Sequence, residues 1–323
     1  MERRKVKGRV QFPVIDLNSP SGVAGQIDEA CREVGFFAIT GHGVPQGVID
    51  RAWSAATRFF DRPLEEKLSV RSEIEYPYGY TPMSSESLAS SSGEEVAADL
   101  NESFSLSPPP RAEVAAFGGF RLDRRVWPKR PEDFKVAWTE YYNHMERLAG
   151  RLMRLCASAL EISEAFFDDK TDRHLSALRA LNYPAQETPP PPGQIRAGAH
   201  TDYGTITILL PGQATGGLQV LALDNSWLAV PDVPGGFVVN LGDLMAMWTN
   251  DRWRSTLHRV VNPEISVAAT ERRQSMAFFH QPNWDAEIEC LPNCASADNP
   301  QRYAPTRSGP WLRAKVEASQ HND

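Results

Sequence analysis

Residues 200–210 read His-Thr-Asp-Tyr-Gly-Thr-Ile-Thr-Ile-Leu-Leu, a polar tripeptide that leads into a run of β-branched and aliphatic side chains. In extended backbone, residues i and i+2 point to the same side, so His200 and Asp202 can face one point from a single strand end. A further histidine, His258, lies inside a second β-type run, Thr-Leu-His-Arg-Val-Val at 256–261. A rolled sheet would bring the two segments together.

Two imidazoles and one carboxylate are the set that holds non-haem Fe(II) on one face and leaves other coordination positions open. A His-x-Asp tripeptide alone is weak evidence, and a lone buried histidine such as His258 is more often an ordinary core residue. The joint pattern of His200, Asp202 and His258 is what favours a metal site. A zinc hydrolase of the cupin type is a weaker alternative, because the chain lacks the extra histidines that such a site needs.

Short apolar or alternating runs, separated by Gly and Pro, fill the second half of the chain. This spacing predicts a β-sandwich or jelly roll. The predicted strands are 178–183, 205–210, 217–221, 227–230, 237–240, 258–261 and 275–280.

Helices dominate the predictions for the first half. Helices are expected at 21–34 and 46–60, with short strands at 11–17 and 35–40. A longer amphipathic helix is predicted from about Pro131, because its apolar residues recur in steps of four and three. These residues are Phe134, Trp138, Tyr141, Met145, Leu148, Leu152, Leu155 and Ala159. The fold class is therefore mainly β with flanking helices, one of them a long support helix.

Composition narrows the classes of function. The 323 residues carry a net charge of −7, which argues against non-specific nucleic-acid binding. No run of 18 apolar residues occurs, so no membrane span is expected. The four cysteines form no Cys-x-x-Cys pair and are interpreted as free thiols of a reducing, cytoplasmic protein.

The chain resembles the 2-oxoglutarate/Fe(II)-dependent dioxygenases of the isopenicillin N synthase-like branch. The resemblance covers most of the chain and depends on many motifs that occur in the family's order. In the first half they are Pro13–Leu17, Gly35–Phe37, Gly41–Pro45, and Phe59-Phe60 with Pro63 and Glu65–Lys67; in the second half they are Asn182–Pro184, His200–Leu209, Gly216–Val220, Leu241–Leu244, Trp248–Asp251, Ser255–Val261 and Arg273–Ser275.

The resemblance implies a double-stranded β-helix, or jelly-roll, core supported by helices. Residues 1–125 would form the N-terminal dioxygenase region, with helical support and a lid loop. Residues 126–323 would contain the long helix and the catalytic jelly roll, and the two regions would make one compact unit. The Ser-rich loop 81–93 is the candidate lid, whereas His42 and Asp243 are interpreted as structural residues of turns.

The resemblance also implies a co-substrate. Arg273 and Ser275 match the family's Arg-x-Ser signature, in which a guanidinium fork and a hydroxyl on the same strand face hold a carboxylate. Tyr183 matches a tyrosine region that often donates to the same carboxylate. Many relatives carry two tyrosines there, and this chain has one. The neighbouring Arg272 should point the other way, as a surface charge.

The implied reaction uses Fe(II), 2-oxoglutarate and O2, with ascorbate as a possible external reductant, and releases succinate and CO2. No separate acid or base is assigned, because the chemistry is centred on the metal. The substrate would be a small molecule of secondary metabolism or derived from an amino acid, and it would be hydroxylated, desaturated or cyclised. The carboxylate of Asp202 argues against halogenation, since halogenating relatives lack it.

Three matters stay open at the level of sequence. Some relatives with the same Arg-x-Ser are oxidases that use no 2-oxoglutarate, and an inactive binding protein on this scaffold is a further alternative. Phe104, Tyr203 and Phe279 are candidate substrate-pocket residues, each equally well explained by ordinary packing. The protein is expected to be a monomer or a weak homo-oligomer.

Overall fold

The computed structural model describes residues 12–73, 77–87, 89, 98–110, 125–185, 188, 190–191, 193–212, 217–264 and 272–319. Seven α-helices occur within these residues: α1 Val23–Glu33, α2 Gln46–Phe60, α3 Leu64–Leu68, α4 Phe134–Ala159, α5 Asp168–Thr171, α6 Asp243–Trp248 and α7 Ser308–Ser319. The strands are β1 Val14–Asp16, β2 Phe36–Thr40, β3 Gly79–Thr81, β4 Glu102–Leu106, β5 Ala177–Tyr183, β6 Ala197–His200, β7 Ile206–Leu210, β8 Leu218–Leu221, β9 Trp227–Ala229, β10 Phe237–Leu241, β11 His258–Val260, β12 Arg273–His280, β13 Glu287–Ile288 and β14 Thr306–Arg307.

The major sheet has eight strands in the order β1-β2-β10-β7-β12-β5-β4-β3. All of its neighbours are antiparallel except the pair of β1 and β2. Strand β12 lies between β7 and β5 and carries the Arg-x-Ser tripeptide at its start. Because side chains alternate along a strand, Met276 and Phe278 enter the core while Arg273, Ser275, Ala277 and Phe279 face the opposite side.

The minor sheet has four strands in the order β6-β11-β8-β9. Two small apolar clusters lie between the sheets. One contains Leu181, Tyr183, Ala197, Leu218 and Val260, and the other contains Val34, Phe36, Val220 and Val238. The two facing sheets are the predicted jelly roll, so the fold class read from the sequence is confirmed.

The long helix α4 covers the other face of the major sheet. It packs against α1 and α2 and contacts β7 and β12. The residues that recur in steps of four and three are its buried face, from Phe134 and Trp138 through Leu152. Burial of this stripe, more than intrinsic propensity, stabilises such a helix. The helix fixes the position of the sheet that carries Arg273 and Ser275.

Candidate active site

His200, Asp202 and His258 converge on one point between the two sheets. His200 and His258 are directly opposite each other on the antiparallel strands β6 and β11. The Nε2 atoms of His200 and His258 lie 4.0 Å and 3.8 Å from Asp202 Oδ1. One ligand atom from each residue lies within 4.8 Å of the others. Three donors at this separation can bind a single ion.

Neighbouring groups orient these three side chains. His200 Nδ1 is 2.7 Å from the Gly198 carbonyl oxygen, and His258 Nδ1 is 3.0 Å from that of Thr256. Each Nδ1 therefore donates its hydrogen and leaves Nε2 with a lone pair. Asn240 Nδ2 donates to Asp202 Oδ2 at 2.6 Å, so Oδ1 is the oxygen turned towards the histidines.

Electrostatics favours the protonation states that a metal requires. Burial and the charge of His258 lower the pKa of the His200 imidazole to about 4. Burial disfavours ionisation of Asp202, but the two histidines and the Asn240 hydrogen bond hold its pKa below the ordinary value. Metal ligands must be neutral imidazoles and ionised carboxylates. Histidine nitrogen with carboxylate oxygen suits Fe(II) better than a metal that prefers thiolates.

Arg273, Ser275 and Tyr183 form a second polar group in the same cavity. Tyr183 and Arg273 are opposite each other on β5 and β12. The Arg273 guanidinium carbon lies 4.9 Å from the centre of the Tyr183 ring, and Arg273 Nη1 donates to Ser275 Oγ at 3.4 Å. Burial raises the pKa of Tyr183, an effect that the positive charge of Arg273 opposes.

The Arg273 guanidinium is a buried cation. Its residue is 3% exposed, and no carboxylate among the described residues forms an ion pair with it. Burying an unpaired charge is costly, so such a group is built to receive an anion. Arg272 points the other way, as expected. Its partly buried side chain contacts Asn182 Oδ1 and Asp61 Oδ1 at 2.5 Å each.

A buried network supports the strands behind this pair. Glu102 Oε2 accepts hydrogen bonds from Lys67 Nζ at 2.7 Å and Tyr80 Oη at 2.5 Å. Its Oε1 accepts from Asn182 Nδ2 at 2.7 Å. Asn182 directly precedes Tyr183, so these contacts hold β5 in place next to β12.

One cavity of about 190 Å3 joins the two polar groups. Tyr203 and Phe279 are among the residues that line it. The Tyr203 backbone oxygen accepts a hydrogen bond from Trp311 Nε1 of helix α7 at 3.2 Å. Leu312 and Val316 of the same helix complete this wall.

Phe104 does not line this cavity, so its interpretation as a substrate-pocket residue is corrected. Side chains alternate along β4, and Ser105 is the residue that faces the cavity. Phe104 turns to the helical core, is 0% exposed, and packs against Phe59, Phe134 and Trp138 at centroid distances of 5.1, 5.1 and 5.4 Å.

Phe104→Ala is therefore expected to lower the free energy of unfolding by about 3–5 kcal/mol, as for other buried phenylalanines. The catalytic efficiency of the folded fraction should change little. Denaturant unfolding and steady-state kinetics measure the two quantities. Phe279→Ala is the matched control. It should change catalytic efficiency more than the free energy of unfolding. A Phe104→Ala enzyme with normal stability and altered substrate preference would show that Phe104 does contact the substrate.

Several residues of the site were not found by sequence reasoning. Asn240, which fixes the Asp202 carboxylate, lies near the end of the apolar strand β10, and a buried amide in such a strand was the available signal. An ion pair of Arg179 with Glu86 also lines the cavity. Helix α7 was not predicted either. Of the candidate lid, residues 88 and 90–93 lie outside the described residues.

His42 lies in the loop between β2 and α2, whereas Asp243, which the sequence placed in a turn, is the first residue of helix α6. His42 Nε2 is 2.9 Å from the Gly235 carbonyl oxygen, and its Nδ1 accepts from the Val44 amide at 3.1 Å. Asp243 Oδ1 accepts from Ser255 Oγ at 2.7 Å. These contacts join neighbouring segments, and neither His42 nor Asp243 lines the cavity.

Comparison with known proteins agrees with this geometry. Residues 12–130 match the family described as the N-terminal region of non-haem dioxygenases in morphine synthesis, and residues 175–282 match the 2OG-Fe(II) oxygenase superfamily. A 2-oxoglutarate-Fe(II) type oxidoreductase, hxnY, of Emericella nidulans is 35% identical over 323 residues, covering 95% of this chain and 90% of the relative. Validamycin A dioxygenase of Streptomyces hygroscopicus subsp. limoneus is 34% identical, covering 85% of this chain and 78% of the relative.

Among solved structures, a full-length Neurospora crassa protein in complex with alpha-KG and 5-formyluracil superposes with a TM-score of 0.81. Its sequence is 28% identical, and the alignment covers 99% of this chain and 100% of that one. The chain belongs to the 2-oxoglutarate–Fe(II) oxygenase family. It is a 2-oxoglutarate-dependent dioxygenase that uses Fe(II) and 2-oxoglutarate, as the sequence indicated.

Within the residues that the structure describes, no helix has the length and apolar character needed to cross a bilayer.

Proposed function

We propose that His200, Asp202 and His258 hold Fe(II), and that Arg273, Ser275 and Tyr183 hold the C5 carboxylate of 2-oxoglutarate, for hydroxylation of a small molecule. The observation that carries this assignment is the buried Arg273 guanidinium, which lacks a carboxylate partner among the described residues and shares a cavity with the three donors. Two independent requirements of the reaction, a metal site and an anion site, are met in one enclosure.

The donor set fits the metal, and the arginine fits the co-substrate. When bound, Fe(II) and 2-oxoglutarate supply the oxidising power: O2 is consumed, succinate and CO2 are released, and one oxygen atom enters a substrate C–H bond. The protein supplies placement. Arg273 and Ser275 fix the distal carboxylate, so that the keto acid is directed along β12 towards the three donors.

The other side chains orient ligands and exclude water. Asn240 restrains one oxygen of Asp202, and the carbonyls of Gly198 and Thr256 hold the two imidazoles. Losing such a supporting contact typically costs about 10- to 100-fold in metal affinity or activity. The apolar clusters between the sheets surround the enclosure with non-polar side chains, which strengthens charge interactions inside it.

Succinate formation per O2 consumed tests the proposed function. In an assay that contains purified protein, Fe(II), 2-oxoglutarate and a substrate that the enzyme converts, we expect about one succinate per O2. Succinate formation and O2 consumption are linked because they belong to one coupled reaction. An Asp202→Ala protein is the matched control and should form none. Oxygen uptake that yields product without succinate would favour the 2-oxoglutarate-independent oxidase and contradict the assignment of Arg273.

A further inference from the structure

A second charged group lines the cavity, apart from the residues assigned to iron and 2-oxoglutarate. Arg179 Nη2 forms an ion pair with Glu86 Oε2 and donates to Ser103 Oγ at 2.7 Å. The side chains of Arg179 and Glu86 are 17% and 18% exposed. Both residues line the same enclosure as the three metal-binding candidates.

The register of the major sheet places Arg179 away from the carboxylate site. Arg179 lies opposite Ala277 of β12 and Ser105 of β4. It is four positions before Tyr183 on the same face of β5, about 13 Å along the strand. The backbone positions of Arg179 and Arg273 are therefore well separated, although both side chains interact electrostatically with Tyr183.

The same register relates Arg179 to the metal donors. Thr207 of β7 is a hydrogen-bond partner of Asp202. Strand β5 lies two strands from β7 across β12, a separation of about 10 Å. A molecule held at Arg179 thus needs only a few bonds to bring a carbon next to the metal donors.

Two polar atoms at this end of the cavity have no hydrogen-bond partner among the described residues. They are Nε of Arg179, a donor, and Oε1 of Gln281, an acceptor. Gln281 is 5% exposed and lines the cavity. Buried polar atoms are nearly always paired, so two unmatched atoms on residues that line one cavity point to a ligand that would pair with them.

The balance of charge limits what that ligand can be. Arg179 and Glu86 neutralise each other before any substrate binds. A simple anion would compete with Glu86 and leave a buried carboxylate without a partner, which is costly. A ligand with adjacent positive and negative groups would give each residue a new partner and keep the net charge at zero.

We propose that the substrate is a zwitterionic small molecule of the amino-acid class. This proposal rests on the proposed function. Arg179 takes its carboxylate, Glu86 takes its ammonium group, and Gln281 Oε1 accepts a further N–H. The side chain then lies along the apolar wall of Leu175, Leu312 and Val316. In this orientation it points towards the three metal donors.

The test uses several sets of probes. The three probes of a set share one side chain and are the free L-amino acid, its C-terminal amide and its N-acetyl derivative. Lysine, arginine, leucine and methionine provide four side chains of different length and charge. Binding to the anaerobic Fe(II)/2-oxoglutarate enzyme is measured by calorimetry, and turnover is measured as succinate release. At least one free amino acid should bind and stimulate succinate release. Its amide and N-acetyl forms should be weaker by about 30-fold or more, since each loses one charged partner.

Two variants separate recognition from general damage. Arg179→Gln should narrow or reverse the preference for the acid over the amide, and Glu86→Gln should do the same for the free amine over the N-acetyl form. Arg154→Gln, which breaks an exposed ion pair with Asp168 on the protein surface, is the control and should leave all preferences unchanged.

Two outcomes overturn the proposal. In the first, 2-oxoglutarate binds normally but no free amino acid binds or stimulates turnover. In the second, the amide or the N-acetyl form binds and stimulates succinate release as strongly as the free amino acid. Either result leaves the proposed function intact. Failure of the wild-type protein to bind 2-oxoglutarate would instead count against the proposed function.

Discussion

His258→Ala is expected to lose Fe(II) binding and turnover while the fold persists. His258 supplies one of three donors and has no other strong polar contact through Nε2 among the described residues. Losing a supporting contact of a ligand costs about 10- to 100-fold, so loss of the ligand itself should cost at least about 1,000-fold in activity. Anaerobic calorimetry measures metal affinity, and circular dichroism checks the fold.

His144→Ala is the control for this experiment. His144 lies on helix α4, remote from the cavity, and is only partly buried. Its replacement should leave metal affinity and turnover unchanged. If the His258→Ala protein still bound Fe(II) with near wild-type affinity and turned over substrate, the three-donor site would be misassigned.

Arg273→Leu is expected to weaken 2-oxoglutarate binding far more than metal binding. Removing one partner of a buried charge pair typically costs about 2–5 kcal/mol. The dissociation constant for 2-oxoglutarate should therefore increase by a factor of between about 30 and several thousand. Affinity for Fe(II) in the absence of 2-oxoglutarate should change little, because Arg273 contacts none of the three donors. Calorimetric titrations of metal and of co-substrate give both constants.

The adjacent Arg272→Leu provides a matched comparison on the same segment. Arg272 lies on the opposite face and pairs with the exposed Asp61, and such surface pairs contribute about 0–1 kcal/mol. Its loss should change 2-oxoglutarate affinity by less than about threefold. Equal effects of the two substitutions would mean that the Arg273 phenotype reflects damage to β12 and not loss of an anion partner.

The strands that the sequence predicted well are those with strong local patterns. Strands β7, β10 and β12 are rich in Ile, Val, Leu and Phe and sit within a few residues of their predicted bounds. Strand β6 was missed because Ala-Gly-Ala-His has little strand propensity. It forms because β11 pairs with it, and that pairing is a contact between residues about sixty positions apart.

Strand β4 was missed for a different reason. Its sequence, Glu-Ser-Phe-Ser-Leu, contains a carboxylate that would ordinarily face water. Lys67, Tyr80 and Asn182 satisfy Glu102 from three separate elements, and no local pattern can indicate such partners. The same limit explains the error at Phe104, because the face of a strand is known only when its sheet neighbours are known.

The candidate site divides in the same way. His200, Asp202, His258, Arg273 and Ser275 were identified as candidates because each occupies a compact motif whose chemistry can be read without the fold. The Glu86 and Arg179 pair joins residues 93 positions apart, so only the folded chain reveals it. Substrate recognition is thus the least accessible part of the site from sequence.

Both sheets hold the three donors in place, and this arrangement has a mechanical consequence. The two imidazoles belong to the minor sheet, whereas Asp202 is tethered through Asn240 to the major one. Inter-sheet spacing therefore enters the geometry around the ion. Val220 and Val238 lie between the sheets and are not among the three donors. Changing the volume of either side chain would therefore alter the affinity for iron.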